Sequence, residues 1–208
     1  MLKLYYSPGA CSQAAHIVLH ETGFSHDSIR VDLRAKTIED GSDYRRINPK
    51  GAVPALELEN GEVLSENAVI LQYLGDRSGS SDLLPPLGDF RRYRVLEWLN
   101  FVATELHKGF GPLWNPAAAS EWKQAARDQL GKKFDFVEQQ LGDGPFLTGD
   151  AFTIADAYLF VMLGWTAMHD IDLARWPGLT AFQERAAQRP SVRQVLQFEG
   201  LAETETAS

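Results

Sequence analysis

Strand-like alternation of apolar and polar residues is confined to the first third of this 208-residue sequence, and long helical periods dominate after it. Short alternating runs lie at residues 2–6 and 27–32, and the segment 11–22 between them has helical periodicity. This order is typical of a βαβ unit. A chain whose period changes in this way is predicted to form an α/β unit first and an all-helical unit second.

A β-hairpin is the clearest local prediction in the sequence. Two short alternating runs within residues 55–64 surround Asn60-Gly61, a dipeptide that accepts positive φ at both central positions of a type I′ turn. A helical period follows over residues 66–77. The fold class predicted for residues 1–78 is therefore α/β, in the order βαβ-ββα.

Residues 79–89 are predicted to connect two domains. Together with Ser78 they combine small polar residues with two prolines, which is the composition of an exposed connection. From residue 90 onward no strand alternation recurs, so residues 90–208 are predicted to form an all-α domain. Its helical periods cover roughly residues 90–108, 119–141, 153–168, 178–188 and 191–198.

Composition and charge exclude several classes of protein. Apolar residues make up 44% and charged residues 23%, and no apolar run approaches the roughly 20 residues that cross a bilayer. The start of the sequence lacks the pattern of a secretory signal. The formal net charge of −8 argues against nucleic acid or an anionic membrane as the main partner. A single cysteine excludes an internal disulfide framework, so we expect a globular protein of the reducing cytoplasm.

The lone cysteine, Cys11, stands where the first strand gives way to the first helix. Unpaired backbone N–H groups and the helix dipole favour the thiolate at such a position. The turn-forming residues 7–9 precede it and leave room for a ligand. Ala14 stands where a Cys-x-x-Cys motif needs its second thiol, so intramolecular disulfide cycling is excluded. On position alone, a reactive thiol and a small buried apolar side chain remain equally open.

Five segments spread over both halves of the chain carry further information. They are YYSPGACS at 5–12, INPKGAVPAL at 47–56, LSENAVILQYL at 64–74, WLNFVATELHKGF at 98–110 and FTIADAYLF at 152–160. Together, and in this order, they resemble the bacterial glutathione S-transferases, and Cys11 in the first segment points to the beta class. The resemblance implies a thioredoxin-like N-terminal domain, an all-α C-terminal domain and a homodimer.

The resemblance also implies where glutathione binds. The Val53–Pro54 peptide bond is implied to be cis, and Val53 then pairs with the ligand through its N–H and C=O like an added strand. From the residues alone, a trans proline that merely opens a strand is the alternative. The glutathione-binding residues implied in this way are Ala10, Lys36, Val53, Pro54, Glu66 and Asn67.

Glutathione carries two carboxylates and one ammonium group, so both of its ends need matching partners. The resemblance implies that Glu66 accepts the ammonium and that the N–H of Asn67, at a helix start, receives the neighbouring carboxylate. The family usually has Ser or Gly in place of Asn67, which leaves the role of this side chain open. Lys36 is the cation implied for the glycine carboxylate. The alternatives are an acidic helix start for Glu66 and a solvated surface lysine for Lys36.

His107 is the second catalytic residue that the resemblance implies, beside Cys11. It lies on the first helix of the second domain, where a neutral imidazole N–H would stabilise a glutathione thiolate or a departing thiolate. An ordinary surface or core histidine is the alternative. Contacts to the ligand of the partner subunit are implied for Asn100, Thr104 and Glu105.

A small hydrophobic electrophile is expected as the second substrate, in the cleft between the domains. The aromatic side chains expected to line its site are Phe110, Trp114 and Trp165. Core packing explains these aromatic residues equally well, and they do not identify the electrophile.

Two further patterns are predicted to lie outside the catalytic site. Thr153 and Asp156 have the spacing of a capping box at the start of an apolar helix, which indicates a role in folding. His16 and His20 are spaced as i and i+4 and share one helix face, the geometry of a two-histidine metal pair. No third ligand is apparent from the sequence, and Ile17 stands where the metalloprotease motif has glutamate, so no metal site is predicted.

The sequence predicts a glutathione transferase that stabilises the glutathione thiolate for attack on a hydrophobic electrophile. Glutathione is then a co-substrate, and no permanently bound cofactor is expected. A second activity stays open, in which Cys11 forms a mixed disulfide with glutathione and supports thiol transfer or disulfide reduction. The alternative from another class is a non-catalytic protein that binds glutathione or a hydrophobic ligand on the same fold. The residues that favour the enzyme are Cys11, Lys36, Val53, Pro54, Glu66 and His107.

Overall fold

The computed structural model describes residues 1–202 of the chain. These residues form two compact units, one made of residues 1–78 together with the segment that begins at Ala187, and one made of residues 79–186. The sequence-based division assigned residues 90–208 to a single helical domain, whereas the structure groups the C-terminal segment with the first unit. No helix within the described range is both long and apolar enough to cross a membrane.

The first unit is built around a five-stranded mixed sheet. Its elements up to residue 78 are β1 (Leu2–Tyr6), α1 (Ser12–Thr22), β2 (His26–Asp32), β3 (Thr37–Ile38), β4 (Ala55–Glu57), β5 (Val63–Ser65) and α2 (Asn67–Ser78). The strands lie in the order β3-β2-β1-β4-β5, with β1 and β2 parallel and the other neighbours antiparallel. The predicted βαβ-ββα order is confirmed, with the short strand β3 added after β2.

β1 lies in the centre of the sheet, and this position explains its sequence. A strand with neighbours on both sides and helices packed on the sheet is apolar along most of its length. Leu2, Leu4 and Tyr5 are accordingly buried. Lys3 is the charged exception, and its ammonium pairs at 2.7 Å with the carboxylate of Glu57, directly opposite on β4.

The β4–β5 hairpin is present, but its turn differs from the predicted type I′ geometry. The N–H of Gly61 donates to the Leu58 carbonyl at 2.9 Å, and the N–H of Leu58 donates to the Glu62 carbonyl at 2.8 Å. Gly61 has a φ of 86°, whereas Asn60 does not take a positive φ. This hydrogen-bond pattern belongs to a three-residue loop that ends in a glycine bulge. The type I′ prediction was therefore wrong, because that turn needs positive φ at two successive residues.

The second unit is helical, as predicted. Its helices are α3 (Phe90–Phe101), α4 (Gly111–Trp114), α5 (Ser120–Leu141), α6 (Ile154–Gly164) and α7 (Pro177–Ala187). Every residue of α6 from Ile154 to Leu163 is buried. A helix that is apolar on all sides is stable only when other elements surround it, so α6 forms the centre of this unit.

The predicted capping box is present at the start of α6. The Thr153 hydroxyl accepts a hydrogen bond from the N–H of Ala155 at 3.3 Å, and the Asp156 carboxylate accepts from the N–H of Thr153 at 2.9 Å. The same carboxylate accepts from the N–H of Leu147 at 2.9 Å. Burial raises the pKa of Asp156 to about 6, although these hydrogen bonds oppose the rise.

The helical period predicted over residues 90–108 is interrupted in the structure. After α3 the chain forms a π-helical segment at Val102–His107 and a 3₁₀ segment at Lys108–Phe110. A π segment holds an extra residue per turn and changes the direction of the side chains that follow, and such segments are frequent at functional sites. Gly109 fits this stretch because a Cβ there would lie only 2.7 Å from a methyl carbon of Leu130.

The chain returns to the first unit with α8 (Pro190–Phe198), which packs against α1. Val192 and Val195 on this helix are buried. Arg189, just before α8, donates two hydrogen bonds to the carboxylate of Glu21 on α1, at 2.7 and 2.9 Å. Apolar packing and this ion pair explain why the segment groups with the first unit.

Candidate functional site

Cys11 lies immediately before α1, at the end of a tight turn. The N–H of Ala10 donates to the Ser7 carbonyl at 3.0 Å, and Gly9 between them has a φ of 69°, which glycine adopts without strain. Cys11 is 8% exposed, and its thiol donates to the carbonyl oxygen of Val53 at 3.3 Å. The lone thiol therefore lies at a helix start and against a backbone carbonyl of a neighbouring loop.

The loop that carries Val53 is fixed by its own hydrogen bonds. The carbonyl of Ala52 accepts from the Tyr44 hydroxyl at 2.9 Å and from the side-chain amide of Asn48 at 2.7 Å. The Val53–Pro54 peptide bond is cis, as the resemblance implied. Both residues are buried, so the backbone at Val53 holds a defined position beside the Cys11 thiol.

Glu66 and Asn67 stand at the start of α2. Glu66 has a φ of 74°, and its carboxylate, 68% exposed, pairs with the ammonium of Lys50 at 2.5 Å. Asn67 is buried, and its side-chain N–H donates to the carbonyl of Cys11 at 3.0 Å. Its side-chain oxygen has no hydrogen-bond partner among the described residues. The Asn67 side chain thus ties α2 to the Cys11 backbone, and Lys50 is a charged neighbour that the sequence analysis missed.

Lys36 is tied to the loop formed by residues 50–53. Its ammonium donates to the Gly51 carbonyl at 2.8 Å. Lys36 and Lys50 therefore place two ammonium groups at this loop. Ala10 is partly buried and packs against an apolar cluster that includes Val53 of this loop. The loop 50–53 is the point at which most of the predicted glutathione-binding residues meet.

A buried carboxylate, that of Glu199, holds the turn in front of Cys11. One of its oxygens accepts from the N–H of Gly9 at 2.9 Å and from the side-chain amide of Gln13 at 3.0 Å. The other lies 3.0 Å from Nδ1 of His16. Glu199 follows the last helix without a local motif, so it is not predictable from the sequence, and its long-range contacts reveal its position.

In the second unit, His107 ends the π-helical segment and contacts two aromatic side chains. Its Nδ1 lies 2.5 Å from the hydroxyl of Tyr158, and its ring packs edge-on against Trp165 with the ring centres 5.1 Å apart. Tyr158 is buried on α6. This hydroxyl orients the imidazole, a role of Tyr158 that the sequence does not predict.

The aromatic residues expected to line an electrophile site form one cluster within the second unit. The ring centres of Phe110 and Trp114 lie 5.4 and 5.3 Å from that of Trp165. Phe110 and Trp165 are buried, whereas Trp114 is 49% exposed. Of these three, Trp114 is the residue that presents an open aromatic face.

The residues expected near the ligand of a partner subunit lie on α3 and the π-helical segment. Asn100 and Thr104 are exposed, and the Thr104 hydroxyl donates to the Asn100 carbonyl at 3.0 Å. The carboxylate of Glu105 pairs with the ammonium of Lys133 at 2.9 Å. The Glu105 side chain is therefore already engaged within the second unit.

Comparison with known proteins matches both parts of the chain to one family. A family model for the glutathione S-transferase N-terminal domain matches residues 8–77, and one for the glutathione S-transferase C-terminal domain matches residues 120–197. The chain is similar to glutathione S-transferase GstA of Escherichia coli O157:H7, with 46% identity over 200 residues, covering 96% of this chain and 100% of the relative.

Two solved structures are similar over the same extent. A sphingomonad glutathione S-transferase complexed with glutathione has 45% identity and a TM-score of 0.92, and the match covers 96% of this chain and 100% of that one. The bacterial beta-class glutathione S-transferase of Sphingomonas chungbukensis has 44% identity and a TM-score of 0.92, with coverage of 96% and 100%.

Proposed function

The chain belongs to the glutathione S-transferase family, in its bacterial beta class, and from this premise we propose how its residues act as a glutathione transferase. The observation that carries the proposal is the hydrogen bond of the Cys11 thiol to the Val53 carbonyl, at 3.3 Å. A backbone carbonyl has two lone pairs, so the same oxygen also accepts the N–H of the cysteinyl residue of glutathione. The sulfur atoms of the ligand and of Cys11 are then neighbours.

Glutathione binds in this proposal as an extended peptide along Val53, in the manner of an added strand. The N–H of Asn67, the first residue of α2, receives the γ-glutamyl carboxylate, and Glu66 accepts the ammonium group. Lys36 supplies the cation for the glycine carboxylate. The 2.8 Å hydrogen bond from the Lys36 ammonium to the Gly51 carbonyl, two residues before Val53, supports this role. Ala10 and Pro54 complete the proposed contacts.

His107 stabilises the sulfur anion in the conjugation reaction that we propose. The Tyr158 hydroxyl lies 2.5 Å from Nδ1 of His107. When this hydroxyl donates to Nδ1, the proton of the neutral ring is on Nε2. That N–H supports the glutathione thiolate while it attacks the carbon of a small hydrophobic electrophile and forms a thioether. The exposed face of Trp114 supports an apolar second substrate.

Cys11 carries a second, thiol-transfer reaction in the same proposal. Its thiolate attacks one sulfur of oxidised glutathione, and the other sulfur leaves as a glutathione thiolate. The product is a mixed disulfide on Cys11. A further thiolate then attacks this bond, releases a disulfide and restores the Cys11 thiolate.

The proposed assembly is a homodimer of the reducing cytoplasm, with Asn100, Thr104 and Glu105 near the ligand of the partner subunit. The exposure of Asn100 and Thr104 supports their place near a partner subunit. The single cysteine of the sequence, which cannot form an internal disulfide, supports the reducing cytoplasm.

Intact-mass measurement after incubation with oxidised glutathione tests the role of Cys11. We expect one glutathione adduct on the wild-type protein, removed by reductant and absent from Cys11→Ser. Conjugation of glutathione to an activated aryl halide, measured on the same two proteins, should be largely retained in the variant. Equal loss of both reactions in Cys11→Ser would refute the separation of their roles.

Retention on immobilised glutathione separates the enzyme from a non-catalytic protein of the same fold. We expect the wild-type chain to be retained and its melting temperature to rise with soluble glutathione, because a ligand that binds only the folded state stabilises it. A chain that passes through the column and whose melting temperature does not change would contradict the proposed binding site.

A further inference from the structure

Three histidines from two successive elements converge in the first unit. His16 and His20 lie on α1, and His26 is the first residue of β2. One ligand atom from each histidine lies within 4.8 Å of the other two. The sequence analysis identified only the pair on α1, because the third histidine belongs to the next element.

We propose that His16, His20 and His26 bind a single divalent transition-metal ion of the zinc type. Imidazole nitrogens suit zinc, copper and nickel, and three histidines with an open fourth position form a familiar zinc coordination sphere. Three imidazoles bound through Nε2 to one tetrahedral zinc have ring centres about 5 Å apart. The observed separations of the ring centres are 5.2, 5.6 and 5.4 Å.

In each of the three rings, a hydrogen bond at Nδ1 leaves Nε2 as the nitrogen that can bind a metal. Nδ1 of His16 lies 3.0 Å from a carboxylate oxygen of Glu199, and Nδ1 of His20 lies 3.0 Å from the side-chain oxygen of Gln194. Nδ1 of His26 lies 2.8 Å from the Phe24 carbonyl. All three partners are acceptors, so each ring carries its proton on Nδ1 and a lone pair on Nε2.

These partners are the ones that metal-bound histidines use. A histidine ligand donates its other N–H to a carboxylate or a backbone carbonyl, which fixes the ring and raises its basicity. The carboxylate of Glu199 is buried, so it also brings negative charge close to a bound dication. Packing of aromatic rings alone would not require an acceptor at every Nδ1.

The exposure of the cluster agrees with this role. His16 is buried, whereas His20 and His26 are partly exposed, which leaves a route for an ion from solvent. The Ser28 hydroxyl, 3.2 Å from Nε2 of His16, is the partner that the ion replaces.

Titration with Zn²⁺ by calorimetry, on protein without a histidine tag, tests the site. The Cys11→Ser background removes the one thiol that could bind zinc. We expect one ion per chain, and we expect His20→Asn and His26→Asn to weaken binding at least tenfold, because each loses one of three ligands. Co²⁺ should give the visible absorption of a tetrahedral complex in the parent protein but not in His20→Asn or His26→Asn.

His107→Asn, in the same background, is the matched control, since it removes a partly buried histidine of the other unit. We expect it to bind zinc as the parent does. Failure of the parent to bind saturably at metal concentrations equal to that of the protein would overturn the proposal. So would equal binding by His20→Asn, His26→Asn and His107→Asn.

Glu199→Gln tests the contribution of the buried carboxylate. Loss of the group that hydrogen-bonds the other ring nitrogen of a metal-bound histidine weakens metal binding about 10- to 100-fold. The glutamine of this variant keeps a side-chain carbonyl that accepts from Nδ1 of His16, so the substitution removes the negative charge. The melting temperature without metal shows that the variant is folded. Unchanged zinc affinity in a folded Glu199→Gln variant would refute the role given to this carboxylate.

Discussion

The contact between Asn67 and Cys11 has a predictable cost when it is removed. The Asn67 amide donates to the Cys11 carbonyl at 3.0 Å in a buried setting. The N–H of Ala14 also donates to this carbonyl, at 3.2 Å, so the carbonyl stays hydrogen-bonded in Asn67→Ala. We therefore expect the free energy of unfolding, measured in urea, to fall by about 1 kcal/mol, the value of one ordinary hydrogen bond.

Gln124→Ala is a control for this variant, because it also removes an amide that donates a hydrogen bond. The Gln124 amide donates to Asp128 at 2.9 Å, but the pair is exposed. We expect a change within about 0.5 kcal/mol for this surface substitution. Equal losses in the two variants would show that burial of the Asn67 contact has no energetic importance.

Single residues were predictable from the sequence only where a local segment identified them. Cys11, Val53 and Pro54 belong to segments that resemble the family, and the cis bond between the last two is confirmed. Lys50 lies within one of these segments, but the segment does not identify Glu66, 16 residues away, as its partner. Glu199 lies outside all of them, and its partner His16 is 183 residues away in the chain. Folding alone brings such pairs together, so no local pattern predicts them.

At the scale of one element, the capping box of α6 predicts the effect of Thr153→Ala. This change removes the acceptor of the Ala155 N–H and a hydroxyl that donates to Asp156 at 2.6 Å. Loss of a helix cap costs about 1 kcal/mol, and we expect this decrease in the free energy of unfolding. Ser120→Ala, at the exposed start of α5, should change it far less. An unchanged urea midpoint in Thr153→Ala would contradict the capping role.

Asp156 gives the same helix a pH dependence. Burial raises its pKa to about 6, above the ordinary 3.8. The folded state therefore keeps this proton at pH values where the unfolded state has released it, so stability falls as the pH rises from about 4 to about 6. We expect Asp156→Asn to lack this decrease when unfolding in urea is measured across the range. A constant difference between variant and wild type would contradict the raised pKa.

Periodicity located most elements because it reports which residues each element buries. The strand predicted at 27–32 is observed at His26–Asp32. Periodicity did not specify the turn at Asn60-Gly61, since this dipeptide fits more than one hairpin loop. It also did not reveal the π-helical segment Val102–His107, because the buried residues Val102, Leu106 and Phe110 are spaced by four, as they are on one face of an α-helix.

At the scale of the whole molecule, order along the chain does not determine which parts pack together. α8 follows the second unit in sequence, but it belongs with α1 in the first unit. Its helical periodicity resembles that of the helices before it, so the sequence alone does not separate it from them. The contacts of the buried Glu199 and of the partly exposed Arg189 distinguish this segment, and they exist only in the folded chain.

Arg189→Ala tests how strongly the ion pair with Glu21 holds the segment that begins at Ala187 to the first unit. Burial raises the pKa of Glu21, but hydrogen bonds from Arg189 and Ser191 outweigh it and leave the pKa lowered. Breaking a buried ion pair costs about 3–5 kcal/mol and an exposed one at most about 1, so we expect about 2 kcal/mol for this partly exposed pair. Arg193→Ala, an exposed arginine on α8, should change the free energy of unfolding by less than about 0.5 kcal/mol.

The pH dependence of this loss identifies its cause. Since the pKa of Glu21 in the folded state lies below its ordinary 4.5, the stabilisation is complete above that value and disappears as the pH falls through the lowered pKa. The difference between wild type and Arg189→Ala, measured in urea, should therefore be largest near neutral pH and shrink in acid. A difference that persists unchanged in acid would mean that the arginine stabilises the segment by packing, not by its charge.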